Sequence, residues 1–312
     1  MHLDILFVLS NLLGLFLLMG IGYACLHWNI LPQNAMQIFS ALLMDITLPC
    51  TCFITLASRT YDAEFLKSGI IIVIIGFLVY GLSLAADLLL TRPLKIRRAH
   101  RGLWAFAATF PNNGFMGYPI ILALTNEEGL ALAVIFAIPF TVICYIFGAL
   151  AVSRDNEDAS TRLSLRSILV QPVNLAIVLS IVFYLGQIPI AEPVRIAVTN
   201  LSNVTTPLSM MVCGMALSRS TGRSLLTDRD AYTCTVMRLI LSPLITIAAL
   251  KLFSFPNPLI VPVVIITMAM PCAGVTTLYA EIYHSDTDFA AKVSFLTNAA
   301  ALLTIPLICM LL

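Results

Sequence analysis

Long apolar segments alternate with short polar ones along the whole chain, and this alternation is the strongest pattern in the sequence. A helix needs roughly 20 mainly apolar residues to cross the hydrocarbon core of a membrane. Windows of that length recur from one end to the other, so the pattern predicts an all-α membrane protein with ten transmembrane helices. We expect them at 5–26, 36–57, 66–90, 102–124, 129–152, 165–186, 195–217, 231–252, 258–280 and 289–311.

The longest hydrophilic stretch, 153–164, separates the fifth helix from the sixth. It predicts two five-helix repeats, residues 1–157 and residues 158–312. Because each repeat has an odd number of helices, the second enters the membrane in the opposite sense from the first. Two halves of similar sequence would therefore form an inverted repeat.

The basic residues predict how the chain is oriented, because short cytoplasmic loops keep an excess of lysine and arginine. With both termini outside, the inner face receives twelve basic residues and the outer face four. The inner set is Arg92, Lys95, Arg97, Arg98, Arg101, Arg154, Arg162, Arg166, Arg219, Arg223, Arg229 and Lys292, and the outer set is Arg59, Lys67, Arg195 and Lys251. We therefore expect the amino and carboxyl termini outside the membrane.

The two halves resemble each other at residues that interrupt helices. Pro49 in the second helix has a counterpart in Pro207 of the seventh. The fourth helix contains Pro111, Asn112, Asn113 and Gly114, and the ninth contains Pro271, Cys272, Ala273 and Gly274. The same Pro-x-x-Gly pattern thus occurs at matching places in both halves, as an internal repeat predicts.

A proline inside a helix removes a backbone hydrogen bond, and a nearby glycine lowers helical propensity further. Irregular backbone survives at membrane depth only where protein or a watery cavity shields it. Two broken helices at corresponding places in inverted halves indicate the substrate site of a transporter. The predicted binding residues are therefore Pro111, Asn112, Asn113, Gly114, Pro271, Cys272, Ala273 and Gly274. The alternative is a pair of ordinary kinks, since proline and glycine are frequent in transmembrane helices.

Several polar residues inside apolar segments are candidates for coupling or for lining the site. Asp45 could take up a proton or hold a cation, or it could cap the neighbouring helix break. Arg238 could counter a substrate carboxylate, but we favour an ion pair with Asp87. Thr276, Thr277 and Asn298 could line the site, or they could form hydrogen bonds between helices.

Composition narrows the function classes further. With 60% hydrophobic and 11% charged residues and a mean hydropathy of +0.98, the chain is far more apolar than a soluble domain. It has no basic tract with interleaved aromatics, no Walker A or G-x-S-x-G motif and no zinc-binding pattern. We therefore expect no nucleic-acid partner, no cofactor, no metal and no enzymatic activity.

The segment from Phe110 to Pro119, together with Pro49 and the second Pro-x-x-Gly, resembles the bacterial branch of the auxin efflux carrier family, which includes malate and malonate permeases. The resemblance implies an inverted five-plus-five fold like that of bile-acid symporters and sodium/proton antiporters. Helices 1, 2, 6 and 7 would form a scaffold that dimerises, and helices 3–5 and 8–10 a transport domain in which helices 4 and 9 cross. The plant members carry Asn-Pro-Asn-Thr-Tyr at the first crossing, so a small carboxylate fits this chain better than auxin.

These observations predict a secondary active transporter of small organic anions, mono- or dicarboxylates such as malate or malonate, in a bacterial cytoplasmic membrane. It would work by alternating access of the elevator type, with a proton or sodium as the coupling ion. We expect it to form a homodimer surrounded by membrane lipid. The alternatives are a sodium-coupled symporter of the same fold and a membrane sensor that binds the ligand without moving it.

Overall fold

The computed structural model describes residues 5–155, 170–219 and 228–312. The predicted boundary between the repeats at 157/158 lies outside the described residues, as do Arg162, Arg166 and Arg223, which support the predicted orientation. The described part is almost entirely helical, and its one β pairing is an isolated bridge between Pro111 and Cys272.

The helices follow the predicted order. Helices four and nine are each divided into two parts, labelled a and b. The first five are α1 (Ile5–His27), α2 (Ala35–Ala57), α3 (Ala63–Leu90), α4a (Arg101–Thr109) with α4b (Tyr118–Thr125), and α5 (Glu127–Ser153). The remaining five are α6 (Pro172–Gly186), α7 (Glu192–Arg219), α8 (Arg229–Leu250), α9a (Ile260–Met268) with α9b (Val275–Ile282), and α10 (Thr287–Cys309).

Six of the described helices are long and apolar enough to cross a membrane, namely α1, α2, α3, α5, α8 and α10. Their outer surfaces expose large apolar side chains, including Leu82 (67% exposed), Leu89 (75%) and Leu303 (73%). Such a surface suits lipid rather than water, and the protein is an integral membrane protein. The ten-span topology stays a prediction, because α6 has only 15 residues, α7 is less apolar, and helices four and nine are broken.

Prolines create local distortions in α2, α4b and α8. Pro49, Pro119 and Pro243 lack the N–H that would bond to the carbonyl four residues earlier. In each case a π-turn ends two residues before the proline, and the intervening residue donates its N–H to a carbonyl five residues earlier. These turns, Leu43–Thr47, Asn113–Gly117 and Met237–Leu241, contain Asp45, the last two residues of the first Pro-x-x-Gly and Arg238. The proline pattern thus distorts the backbone where the polar residues lie.

Glycine allows α1 and α7 to pack with their backbones in contact. A Cβ atom added to Gly22 would lie 2.1 Å from the carbonyl oxygen of Met211, and one on Gly214 would lie 1.8 Å from that of Met19. Only small residues permit such an approach between membrane helices. The two helices therefore form a closely packed pair, each lacking a side chain where the other passes.

Polar side chains cap the amino ends of several helices. Asp62, Asp228 and Asp286 accept backbone N–H bonds at the starts of α3, α8 and α10, and Asn126 does so at the start of α5. Each cap satisfies a donor that the helix itself cannot. They fix where these helices begin.

Candidate functional site

The breaks in helices four and nine meet in the middle of the bundle. The N–H of Asn112 donates to the carbonyl oxygen of Pro271 at 2.8 Å, and the N–H of Ala273 donates to that of Phe110 at 2.8 Å. Residues 110–113 and 271–273 are buried, and their freed backbone groups satisfy one another. We call this contact, formed by residues 110–114 and 271–274, the crossing. The structure thus brings together the two Pro-x-x-Gly segments that the sequence singles out.

The backbone at the first break follows from its residues. Phe110 precedes a proline and is extended, with φ −95° and ψ 115°, since a residue before proline is disfavoured in the helical region. Asn112 then caps the next segment, its side-chain oxygen accepting the N–H of Phe115 at 3.2 Å. Asn113 points to the other side, where its amide lies 3.4 Å from the hydroxyl of Tyr80. Of these two adjacent carboxamides, the first caps the π-turn that leads into α4b and the second contacts α3.

Arg238 binds the carboxyl ends of α4a and α9a, the first parts of the two broken helices. Its guanidinium is fully buried and donates to the carbonyl oxygens of Ala108 (2.9 Å) and Thr109 (2.6 Å) at the end of α4a. It also donates to the carbonyl oxygen of Met268 at the end of α9a. Helix carboxyl ends carry a partial negative charge, so a cation there is favourable. Arg238 is thus the cation that holds α4a and α9a together behind the crossing.

The expected ion pair between Arg238 and Asp87 takes an indirect form. Among the described residues, no oxygen of Asp87 lies within 4.0 Å of the Arg238 guanidinium, and Thr109 links the two instead. The hydroxyl of Thr109 donates to Asp87 at 2.8 Å, while its carbonyl accepts from Arg238. The arginine bonds to backbone carbonyls rather than to a carboxylate.

A cavity of about 570 Å³ lies against the other side of the crossing. Its wall is largely apolar, with Met36, Met44, Phe140 and Ile177 among the lining side chains. Its polar lining residues are all uncharged: Ser40, Asn112, Asn113, Tyr118, Thr141, Tyr145, Gln171, Asn174, Thr277, Ser294 and Asn298. Within the described part of the chain, no Asp, Glu, Lys, Arg or His lines this cavity.

The predicted site residues divide clearly by their position. Nine of them line the cavity: Pro111, Asn112, Asn113, Gly114, Cys272, Ala273, Gly274, Thr277 and Asn298. Pro271 contributes its carbonyl to the crossing, and Thr276 is buried with its hydroxyl bonded to Ala273. Arg238 lies behind the crossing, and Asp45 is exposed on the outer face of α2. Neither is among the lining residues.

Several polar lining residues were not predicted from the sequence, and four of them form two hydrogen-bonded pairs. The Tyr145 hydroxyl donates to the side-chain oxygen of Gln171 at 2.5 Å, and the Thr141 hydroxyl donates to that of Asn174 at 3.2 Å. Both pairs join α5 to the beginning of α6. Isolated polar residues in otherwise apolar helices were the available signal, but sequence alone gives no means of pairing them.

The helix ends at the crossing place their opposite partial charges on opposite sides of it. The carboxyl ends of α4a and α9a face the buried Arg238, whereas α4b and α9b begin beside the cavity. The amino end of a helix attracts anions through its N–H groups and its dipole. The cavity therefore presents two positive helix ends and two neutral carboxamides to whatever enters it, without any ionised side chain.

Lipid-exposed helices surrounding a cavity at two interrupted helices are the architecture of a membrane transporter. The chain belongs to the membrane transport protein family, whose model matches residues 7–309. This confirms the resemblance to the auxin efflux carriers indicated by the Phe110–Pro119 segment.

Two similar proteins are both named uncharacterized transporters. One, from Methanocaldococcus jannaschii, is 25% identical over 296 residues, covering 93% of this chain and 94% of the relative. The other, from Methanothermobacter thermautotrophicus, is 23% identical over 298 residues and covers 96% of each chain. Both names agree with transport, and the predicted bacterial origin stays a prediction.

Proposed function

We propose that this protein is a secondary active transporter of small organic anions, and that the substrate carboxylate binds at the crossing. The observation that carries the proposal is the juxtaposition of a cavity with the amino ends of α4b and α9b. An anion there meets helix dipoles and the carboxamides of Asn112 and Asn113. No carboxylate of the protein competes with the substrate for these helix ends and amides, because the described cavity lining contains no ionised side chain.

The uncharged lining favours monoanions over dianions. Two helix ends amount to partial charges only, each roughly half an elementary charge. A second carboxylate would have to leave water for a wall of apolar and neutral polar groups, which is costly. We therefore place monocarboxylates ahead of dicarboxylates such as malate and malonate. The pairs Tyr145–Gln171 and Thr141–Asn174 offer neutral hydrogen-bond partners to the far end of such a substrate.

Alternating access of the elevator type is the proposed mechanism, with α1, α2, α6 and α7 as the scaffold. The cavity is lined from both groups, by Met36 and Gln171 of the scaffold side and by Gly114 and Ser294 of the transport side. Gly114 passes so close to α2 that an added Cβ would lie 2.9 Å from a methyl carbon of Leu48. A smooth surface at this point suits sliding of one group past the other.

The lining beyond the crossing comes from the first halves of α2, α6 and α10 and mainly from the second halves of α5 and α7. That end of the bundle also carries Arg97, His100, Asp155, Asp228 and Asp286, and we call it the charged end. Under the predicted orientation the charged end is cytoplasmic and both termini are outside. The conformation described here then has its cavity on the cytoplasmic side.

The outer face of the scaffold supports a homodimer. Asp45 is exposed in the π-turn of α2, at the predicted middle of the membrane, where lipid cannot solvate a carboxylate. Asn200 and Asn203 are exposed on α7, which packs against the same π-turn. A second copy covering these groups would remove them from lipid and supply hydrogen-bond partners.

Arg238 bears on the choice of coupling ion. Freed carbonyls and helix carboxyl ends are the groups that hold a cation in transporters with broken helices. Here a guanidinium already occupies them. We therefore propose transport that does not require sodium, with a proton or the membrane potential as the driving force.

The test is uptake of a panel of labelled mono- and dicarboxylates into proteoliposomes, with and without sodium and pH gradients. We expect monocarboxylate flux that is independent of sodium and strongly reduced in Asn112→Ala. Flux that the variant leaves intact contradicts the site. Binding without flux under every gradient favours the sensor, and strict sodium dependence favours the symporter.

A further inference from the structure

A separate group of polar residues at the charged end is centred on His100. The imidazole is buried, with 2% of the residue exposed, and lies in the turn that precedes α4a. Its Nδ1 is 3.0 Å from a carboxylate oxygen of Asp230 in α8, and its Nε2 is 3.0 Å from one of Asp286, which caps α10. The ring also stacks on Phe289 of α10, with 4.2 Å between centroids. One side chain thus joins three helix starts.

The geometry determines which form of His100 satisfies both contacts. A neutral imidazole has one N–H and one lone pair, whereas an imidazolium has two N–H donors. Burial alone raises the pKa of Asp286, but the Phe289 backbone N–H and His100 outweigh it and hold that pKa below its usual value. Asp230 accepts two further bonds, from the Nε (3.0 Å) and backbone N–H (3.2 Å) of Arg97. With both aspartates ionised, only the protonated ring donates on both sides.

Carboxylates outnumber cations around the ring. From α8, Asp228 pairs with Arg97 at 2.5 Å and lies 3.8 Å from Lys292. From α10, Lys292 is held by Asp288 at 2.5 Å. From the end of α5, Asp155 accepts the N–H groups of Gly102 and Leu103. The described charged groups facing this cluster are the aspartates at 155, 228, 230, 286 and 288, with Arg97 and Lys292 as their cations.

A metal ion is the other occupant to consider, because ligand atoms of His100, Asp228 and Asp230 lie within 4.8 Å of one another. The Arg97 guanidinium, however, already donates to both carboxylates. A metal ion would have to displace the Arg97 guanidinium from these carboxylates, and the displaced positive charge would still lie close to the ion. The donor set therefore suits a proton on His100 better than a metal.

We propose that His100 is a proton-binding site, and that its protonation holds the start of α10 against α4a and α8. Loss of the proton leaves a lone pair facing a carboxylate at one of the two 3.0 Å contacts, and that contact becomes repulsive. α10 also supplies Ser294 and Asn298 to the cavity wall, and its Thr297 contacts Cys272 at the crossing. Proton binding at the charged end therefore acts on a wall of the cavity.

Hydrogen–deuterium exchange of the full chain in lipid nanodiscs tests this proposal, between about pH 6 and about pH 8, where histidine changes charge. After correction for the intrinsic exchange rate, we expect amides 284–293 of the wild type to exchange about tenfold faster at the higher pH, the effect of losing one charge-assisted hydrogen bond. In His100→Gln, exchange should be fast at both values. Wild-type exchange that is independent of pH, or a variant that keeps the wild-type pH dependence, overturns the proposal.

Two further variants keep the test decisive. His284→Asn removes an exposed histidine in the neighbouring turn, where asparagine tolerates the φ of 50°, and should behave like the wild type. Asp286→Asn keeps an oxygen to cap α10 but places an amide N–H donor opposite Nε2 of His100, a contact that the neutral ring satisfies, so the pH dependence should disappear. If His100→Gln does not fold, Asp286→Asn decides. Retained pH dependence in it, or lost pH dependence in His284→Asn, contradicts the assignment.

Discussion

Asn112→Asp gives the sharpest test of electrostatics at the crossing. The two side chains have the same shape, and the carboxylate can still accept the N–H of Phe115, so the cap of the segment after the break is kept. What changes is the charge on a residue that lines the cavity. A site that recognises anions through helix ends should lose its function by this change alone.

The magnitude follows from the distance. A substrate carboxylate beside residue 112 would lie about 4 Å from the new charge, and two unit charges at that separation interact by about 4 kcal/mol at an effective dielectric constant of 20. Repulsion of that size weakens binding roughly a thousandfold. An uncharged amide analogue of the same substrate should bind the variant and the wild type with similar affinity.

The assay is ligand binding to purified protein, followed by counterflow in proteoliposomes. Asn126→Asp is the matched control, because Asn126 also caps a helix, accepting N–H bonds at 2.9 and 3.3 Å, but does not line the cavity. We expect it to bind substrate normally. Equal affinity of Asn112→Asp and wild type for the carboxylate refutes the reasoning, as does an equal loss in the control.

Three further predictions concern the parts around the site. Arg238→Met leaves three buried carbonyls without their donor, which costs roughly 1–3 kcal/mol of folding stability for each carbonyl. Removal of the buried charge offsets part of this loss. We expect calorimetry to show a melting temperature about 5–10 °C lower. Gly114→Ala should slow flux roughly tenfold by contact with Leu48, whereas Gly274→Ala, with open space around the added carbon, should not. Burial raises the pKa of Asp155 from 3.8 to about 6, so the folded state binds a proton at this carboxyl more tightly than the unfolded state does. The free energy of unfolding should therefore fall as pH rises from about 4 to about 6. Over this range the melting temperature of the wild type should decrease relative to that of Asp155→Asn. A constant difference between the two contradicts that assignment.

The sequence predicted the two breaks because their cause is local, whereas the crossing of helices four and nine was implied only by the family resemblance. Pro111 and Pro271 interrupt helices by their own chemistry, and the repeat of a proline with a glycine three residues later marked both breaks. The helix order followed equally well, since long apolar segments carry their own signal. The exact ends of α4a and α9a were missed, because the predicted helices run straight through residues that leave the helical conformation.

The remaining contacts depend on tertiary structure and could not be predicted. Arg238 bonds to carbonyls on two other helices, which no local pattern encodes. The contacts of His100 join positions 130 and 186 residues away along the chain. Asp45 was a natural candidate for the site, but the π-turn before Pro49 leaves it exposed on the outer face of α2. Side-chain direction at such a turn differs from that of a regular helix.

The most direct test of the account is a cryo-electron microscopy structure in lipid nanodiscs with a transported monocarboxylate bound. We expect the carboxylate in the cavity, within hydrogen-bonding distance of Asn112 and of the backbone at the start of α9b, while Arg238 stays on the opposite side of the crossing. A carboxylate bound elsewhere, or helices four and nine that run unbroken past each other, would contradict the account.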